Sequence, residues 1–367
     1  MIRFGKKAAA VAAFSVMASM AFTGCSGSIN SDEVVATVGG EEMTLGVANF
    51  YARFTQGQYE TYLAGMMGTT AEEMWAQDAG DGSTYEESTK DGIMENLENM
   101  YLISQHAGEY GVSLTDEDEE AIAAAAEQFD ADNSEEVKET VSGYRKDVEK
   151  VLELLTIQSK MYDPMREGVD EEVSDEEAAQ KSMQYVFFSY TTTDDSGASV
   201  QLTDEEKEAL LSTAQSFSDR AAAGEDMEAL ASEMGVEVQT GTFDSDSTTP
   251  NADLIAAADA LTAEGEVTAP VETDNGIYVA KLTSLLDREA TDAEKETIVE
   301  QRRSDQYNSL LEEWRDAADI KVKERVWKKV DFTYQGITIT TPSEEDTSSD
   351  SVTDGAADNS TDGTAEE

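Results

Sequence analysis

The stretch "GEVTAPVETDNGIYVAKL", residues 265–282, reads as two strand-like runs around a turn at Asn275-Gly276, a residue pair suited to two-residue hairpin loops. Working outward, "MQYVFFSY" (183–190) is a further strand-like run of aromatic and β-branched residues, the types favoured on a half-buried pleated surface. Polar "TTTDDSGASVQ" (191–201) follows it, then a helix from about Asp204 to Ala223 and a shorter one around "DMEALASEM" (226–234). "VEVQTGTF" (236–243) gives a strand and "ADLIAAADAL" (252–261) a helix. The order is strand, helix, helix, strand, helix, strand, strand.

The flanks have a different texture. "VVATVGGEEMTLGVANFYARF" (34–54) pairs a strand-like run with a turn at Gly39-Gly40 and a helix that Thr44 can cap. Downstream, Ile93, Met94, Leu97, Met100, Tyr101 and Ile103 recur at three- and four-residue steps, one apolar helix face, and Gly111 is placed to stop that helix. "LTDEDEEAIAAAAEQF" (114–129) starts another helix with acids in its first turn, where the macrodipole favours them. "VKETVSGYRKDVEKVLELLTIQSKMYDPM" (137–165) continues the helical pattern until Pro164. After the central part, "ATDAEKETIVEQRRSDQYNSLLEEWRDAADIKV" (290–322) reads as one long helix from about Asp292, with Ile298, Leu310, Leu311 and Trp314 on or near one stripe. The locally basic "KVKERVWKKVDF" (321–332) is expected to return as a strand or short helix against the first domain.

At the amino terminus Arg3, Lys6 and Lys7 precede an uncharged run from Ala8 to Phe22, the layout of a secretory signal and too short for a transmembrane helix. Phe22-Thr23-Gly24-Cys25 is similar to a lipobox, the bacterial lipoprotein signal, although a leucine is commoner where Phe22 stands. That resemblance implies a diacylglycerol on the Cys25 thiol and cleavage before it. An ordinary signal peptide followed by a stray thiol is the alternative, but a free cysteine is a liability in an oxidising compartment. Acyl chains contribute about 0.8 kcal/mol per buried methylene, so several of them hold a protein body at a membrane surface.

The 367 residues carry 79 acidic against 25 basic side chains, a formal charge of −54. Loss of the leader removes basic residues only. Such a surface repels phosphate backbones, so nucleic acid is excluded as a partner. Cys25 is the one cysteine, so no internal disulfide can form. From Pro342 onward no aromatic or basic residue occurs, and an acidic tail that cannot repay the entropy of ordering is expected.

The order of these pieces carries a resemblance. "GEVTAPVETDNGIYVAKL" is similar to the closing segment of parvulin-type peptidyl-prolyl isomerase domains, and "AAAGEDMEALASEM" (221–234) to their helix pair. "VATVGGEEMT" (35–44), "ENLENMYLISQHAGEYGVSLTDEDEEAI" (95–122) and "LLEEWRDAADIKV" (310–322) resemble the flanking parts of PrsA/SurA-type extracytoplasmic foldases. The likeness spans roughly 33–330. It implies an α+β fold: a mainly helical N-terminal chaperone domain completed by a C-terminal helix, with an inserted parvulin-like domain whose small antiparallel-type sheet is flanked by helices. The expected boundaries are a signal peptide over 1–24, a lipidated tether over 25–32, the helical domain over 33–175, the parvulin-like domain over 180–288, the C-terminal helix and return segment over 289–333, and the acidic tail over 334–367.

Parvulins resemble one another in two histidines on adjacent central strands with an acid or thiol beside them. Here the single histidine, His106, lies in the helical part. Matched to the family, the first histidine falls on Tyr185, the second on Tyr278 and the acid near Gln239, while Asp259 stands where an aromatic should grip a proline ring. Two tyrosines could form a hydrogen-bonded pair with weak activity, or fill core space with satisfied hydroxyls. The expectation is an isomerase-shaped domain with little or no isomerase activity.

Other features carry less. His106 has no second histidine or thiol for a zinc site and is expected to end its helix, where a cation is favoured. The acid runs "LTDEDEE" (114–120) and "VDEEVSDEE" (169–177) lack the spacing of a calcium loop and are expected to be solvated helix starts. Met66, Met67, Met74, Met94 and Met100 suit either an adaptable surface or core filling. No metal, cofactor or nucleotide is expected, and no phosphate-binding glycine loop occurs. The function implied by the resemblance is a lipid-anchored foldase or holdase on the outer face of a bacterial cell membrane, with emerging secreted polypeptides as partners. An active prolyl isomerase and a solute-binding lipoprotein are the alternatives, the latter at odds with the long helical half.

Overall fold

Threonines set where many of the helices begin. Thr44, Thr70, Thr84, Thr115 and Thr203 each accept a hydrogen bond from the backbone N–H three residues on, and in all but the first an acid returns the contact as a capping box. Each such cap stabilises its helix by about 1 kcal/mol. The structure, a computed structural model, describes residues 19–23, 29–63, 66, 68–80, 82–193, 197–333 and 336–340. They form two compact units, 1–167 with 307–367, and 168–306.

In the first unit β1 (Ser19–Thr23) precedes the hairpin β2 (Val34–Val38) and β3 (Glu41–Thr44), which turns at Gly39 and Gly40, both at positive φ. Helix α1 (Leu45–Gln58) leaves directly from the Thr44 cap and ends in a single π turn over Tyr59–Leu63. Short α2 (Ala71–Trp75) and long α3 (Tyr85–His106) follow. The expected apolar stripe of α3, Ile93 to Ile103, is buried, and a 3-10 turn ends the segment at Gly111, φ +67. Helix α4 (Asp116–Asp132) begins where its acids suggested.

The pattern over 137–165 is not continuous helix. It divides into α5 (Glu135–Val141) and α6 (Arg145–Met161) around Ser142, which adopts φ +55. The break has tertiary causes. The Ser142 hydroxyl accepts from Asn49 Nδ2 at 3.0 Å, and a Cβ on Gly143 would lie 2.4 Å from the Phe129 ring. Met74, Met94 and Met100 are core residues here, whereas Met66 is 84% exposed.

The second unit opens on the acidic run 169–177, which forms no helix. Three of its six acids pair with one long helix: Glu171 with Arg303 at 2.6 Å, Glu177 with Arg302 at 2.6 Å, and Asp175 with Arg288 at 2.5 Å and with Lys295. The expectation of a solvated helix start fails because opposite charges more than a hundred residues away fold against it. Strand β4 (Lys181–Ser189) comes next, then the ribbon β5 (Thr191–Thr193) and β6 (Ser199–Gln201), and helices α7 (Asp204–Ala222) and α8 (Met227–Met234). Strand β7 (Gln239–Phe243), helix α9 (Ala252–Asp259), β8 (Val271–Glu272) and β9 (Gly276–Ser284) complete a four-stranded antiparallel sheet in the order β7-β4-β9-β8. The hairpin turn lies one residue earlier than expected, around Asp274-Asn275, closed by Thr273 N–H donating to Gly276 O at 2.8 Å. Gly276 starts β9, and a Cβ there would meet Phe188 O at 2.3 Å.

Alternation sends the sheet's side chains to two apolar layers. Val186, Phe188, Ile277 and Val279 pack with Phe217 of α7 and Leu230 of α8. Met183, Tyr185, Ala280 and Leu282 pack with Phe243 and with Leu254 and Ile255 of α9.

Helix α10 (Arg288–Ala317) starts one turn before Asp292 and runs past the unit boundary. Within the first unit its Leu310, Leu311 and Trp314 pack on the core, and Arg315 pairs with Glu98 at 2.8 Å. Strand β10 (Ile320–Val322) then adds to β2 antiparallel, Lys321 opposite Thr37, and short α11 (Glu324–Trp327) follows. Strand β11 (Gly336–Thr340) pairs antiparallel with β1. Structure therefore extends past 334, where the tail was expected to begin, because Ile337 and Ile339 alternate into the core at 1% and 7% exposure. The remainder of the expected tail, from 341, and the leader up to residue 18 lie outside the described residues.

Candidate functional site

Tyr185 sits mid-way along β4, and period-two alternation puts it on one sheet face with Lys181, Met183 and Phe187. Register places Gln239 directly opposite it on β7, and Tyr278, on β9, directly opposite Phe187. Three of the expected positions thus come together. The Tyr185 hydroxyl donates to Gln239 Oε1 at 2.7 Å, and the Tyr185 and Tyr278 rings lie 6.2 Å apart at 52°. Phe187 covers Tyr278 at 4.4 Å. Tyr185 is buried, Tyr278 half-buried and Gln239 exposed.

Burial pushes the Tyr185 phenol above its usual range, with Tyr278 adding to the effect. It is a neutral hydrogen-bond donor across the physiological range and a poor proton carrier, since efficient general acids and bases titrate near the working pH. Its one proton is already committed to an amide oxygen. The arrangement leaves the Phe187 and Tyr278 rings only partly covered, and no imidazole lies beside them.

Asp259 does not join this group. It ends α9, and Lys181 Nζ bridges its carboxylate and its own carbonyl oxygen, both at 2.9 Å. Lys181 lies four residues from Tyr185 on the same face, so the ion pair occupies the far end of the layer. Alternation along "KSMQYVFFS" placed Lys181 and Phe187 beside Tyr185 in principle; only the strand register showed which ring Phe187 covers.

His106 belongs to the other unit. It is the last residue of α3, stacks on Trp314 at 4.2 Å and 2°, and its Nδ1 lies 2.8 Å from Glu109 Oε1. Among the described residues no cluster of three or more His, Cys, Asp or Glu is arranged to hold a metal ion, and no helix is long and apolar enough to cross a membrane. Cys25 lies outside the described residues.

Residues 189–296 match the family model of the PPIC-type PPIASE domain, so the chain carries a domain of the parvulin class of peptidyl-prolyl isomerase folds. Among solved structures the chain is similar to the foldase protein PrsA of Streptococcus pneumoniae, at 19% identity over 70% of this chain and 98% of that one, TM-score 0.29. It is also similar to PrsA of Bacillus anthracis, at 20% identity over 61% and 96%, TM-score 0.27, and to PrsA of Lactococcus lactis, at 11% identity over 81% and 97%, TM-score 0.33. No curated protein matches the sequence.

Proposed function

We propose that the chain is a lipid-anchored extracytoplasmic foldase of the holdase kind, whose parvulin-like domain binds polypeptide but has lost most or all of its isomerase activity. The observation that carries this reading is the Tyr185 hydroxyl bonded to Gln239, with Tyr278 beside it, at the positions where the family resemblance calls for histidines. Lowering a rotation barrier of about 18–20 kcal/mol needs groups that favour the twisted amide, and a buried, committed phenol offers little toward that.

Support for the foldase reading comes from the parvulin-class domain, the resemblance of its flanking segments and the lipobox-like Phe22-Thr23-Gly24-Cys25. Client segments are held transiently against apolar and aromatic side chains, without cofactor or nucleotide. The charge of −54 keeps such complexes apart from one another and from acidic surfaces.

Three measurements test the reading. In a proline-peptide isomerisation assay the full chain is expected to stay near the uncatalysed rate. Strong acceleration that Tyr185→Phe and Tyr278→Phe abolish would overturn the loss of activity. The chain is expected to suppress aggregation of a reduced, unfolded protein, and tight binding of a single small solute without such suppression would favour the solute-binding lipoprotein reading. Cys25→Ser is expected to move the protein from the membrane fraction to the soluble fraction.

A further inference from the structure

Strand β11 is held on one edge and one face by α1 and its π turn. Ile337 N–H donates to Glu60 Oε2 at 2.5 Å and Ile339 N–H to Thr61 Oγ1 at 3.1 Å. Glu60 is itself fixed by Trp75 Nε1 at 2.8 Å and Gln56 Nε2 at 2.6 Å. The Ile337 and Ile339 side chains settle over Gly57, where a Cβ would come within 2.7 Å of Ile339 Cγ1, so the seat is cut to this strand. Successive residues of a strand turn their backbone polar groups to opposite edges. With Ile337 and Ile339 directed at α1 and its π turn, Gly336, Thr338 and Thr340 present the other edge.

That other edge is filled by β1, residues 19–23, with Ala21 opposite Thr338 and Phe22 opposite Ile337. The strand that fills it lies wholly upstream of Cys25, in the leader that the proposed processing removes. Once β1 leaves, the N–H and C=O of Thr338 have no partner, while β11 remains anchored from behind. A bare edge on an immobilised strand is a template for another extended chain, and backbone pairing reads any sequence.

We propose that the outer edge of β11 is a docking site for an extended segment of unfolded polypeptide, which adds to it as an antiparallel strand, and that the leader strand β1 plugs this edge until it is cut away. The proposal rests on the foldase reading above. It names the client surface for that function and makes the leader an internal placeholder for the client. The occupant's chemistry is set by the placeholder: "SMAFT" is uncharged and mixes small with apolar side chains, as do segments exposed by unfolded chains. Acidic segments are disfavoured by the surrounding negative charge.

The test uses three full-length chains, all Cys25→Ser so that none is acylated: one otherwise unchanged, one with Ala21→Pro to break the β1 pairing, and one with Ala21→Pro and Thr338→Pro. Proline at 338 removes the outward N–H and spares the bonds to Glu60 and Thr61. The probe is a fluorescent peptide with the sequence of residues 18–24, ASMAFTG. Binding is expected to the Ala21→Pro chain and to neither of the others, with equal melting curves for the two proline variants showing that the fold survives. N-methylation of the peptide at Ala21 is expected to weaken binding about tenfold, the loss of roughly one backbone hydrogen bond, and at Phe22 to change it little. A reduced, carboxymethylated protein is expected to compete for the edge. Binding indifferent to Thr338→Pro or to N-methylation at Ala21, failure of the unfolded protein to compete, or dimerisation of the Ala21→Pro chain without peptide binding each overturns the proposal. Because no arm depends on acylation, a failure of the membrane reading leaves this result unaffected. Aggregation suppression by the chain with Ala21→Pro and Thr338→Pro equal to that of the Ala21→Pro chain removes the edge from the holdase function, overturning this proposal while leaving that function intact.

Discussion

In the unit made of 1–167 and 307–367, a buried guanidinium and its amide neighbours reach across the chain to hold a returning backbone, whereas the core of the unit 168–306 is a sheet paired backbone to backbone between two mainly apolar layers. Arg53, with no exposed surface, donates to Asn49 Oδ1 at 3.2 Å, Gln56 Oε1 at 2.6 Å and the Asp331 carbonyl at 2.8 Å. Glu86 accepts from Phe332 N–H at 2.8 Å and from the Thr333 hydroxyl at 2.6 Å. In the second unit β4 is paired on both sides, and the layers above and below it are aliphatic and aromatic. A backbone held by charged and amide groups depends on each of them being satisfied. A sheet sandwiched by apolar residues depends on volume.

The largest effects are expected from a matched pair of substitutions that separates the two designs. Arg53→Met should destabilise the first unit by about 3–5 kcal/mol, because it removes several hydrogen bonds of a fully buried side chain at once. Phe188→Ala should destabilise the second by a similar ~3–5 kcal/mol through lost burial and a cavity. Denaturant unfolding followed by tryptophan fluorescence checks the contrast, since Trp75, Trp314 and Trp327, the chain's full set, all belong to the first unit. Arg53→Met is expected to shift that signal and Phe188→Ala to leave it in place while lowering the circular-dichroism midpoint. Equal shifts of both signals in both variants would break the distinction.

Next in size is a pH dependence confined to the first unit. Asp147, 2% exposed with Oδ2 unpartnered among the described atoms, packs against Gly46, and burial pushes its carboxyl from 3.8 up to about 6, with Lys146 pulling it back. A raised folded-state value means the native protein binds this proton more tightly than the unfolded chain does. Stability from this group is therefore greatest below pH 4 and declines as pH rises through about 6, by roughly 2–3 kcal/mol in all. Asp147→Asn should flatten that slope and stabilise the protein at pH 7; a slope that persists in the variant would assign it to other carboxylates.

Smaller still is Tyr185→Phe, which removes one hydrogen bond to an exposed amide and should cost about 1 kcal/mol or less, with isomerase activity unchanged. Smallest is Lys181→Ala. The Lys181–Asp259 pair is part-exposed, and its loss is expected to change stability by about 0–1 kcal/mol, less in high salt. A large loss there would show that the pair closes the layer rather than edging it.

Much of the site was legible before the fold. Alternation in "MQYVFFSY" and "VETDNGIYV" marks two strands, the family resemblance singles out Tyr185 and Tyr278 on them, and the β4–β9 register puts the two on one face. Gln239 was reached only through family likeness, and its hydrogen bond to Tyr185 required the β4–β7 register. Asp259 stands apart from that group, and its partner Lys181, 78 residues away, left no local trace.

By itself the sequence determined the Thr44 cap, the apolar stripe of α3, the stop at Gly111 and the alternation of β4 and β9, because each depends on residues within a turn or two of one another. The tertiary structure alone decided that Ser142 breaks a helical pattern, that 169–177 lies along basic residues of α10 instead of starting a helix, and that 336–340 folds as a strand on Glu60 and Thr61. In each of those cases the deciding partner lies from about ninety to nearly three hundred residues away. Local periodicity reports what a segment prefers, and distant hydrogen bonds and charges outweigh a preference that is worth only tenths of a kcal/mol per residue.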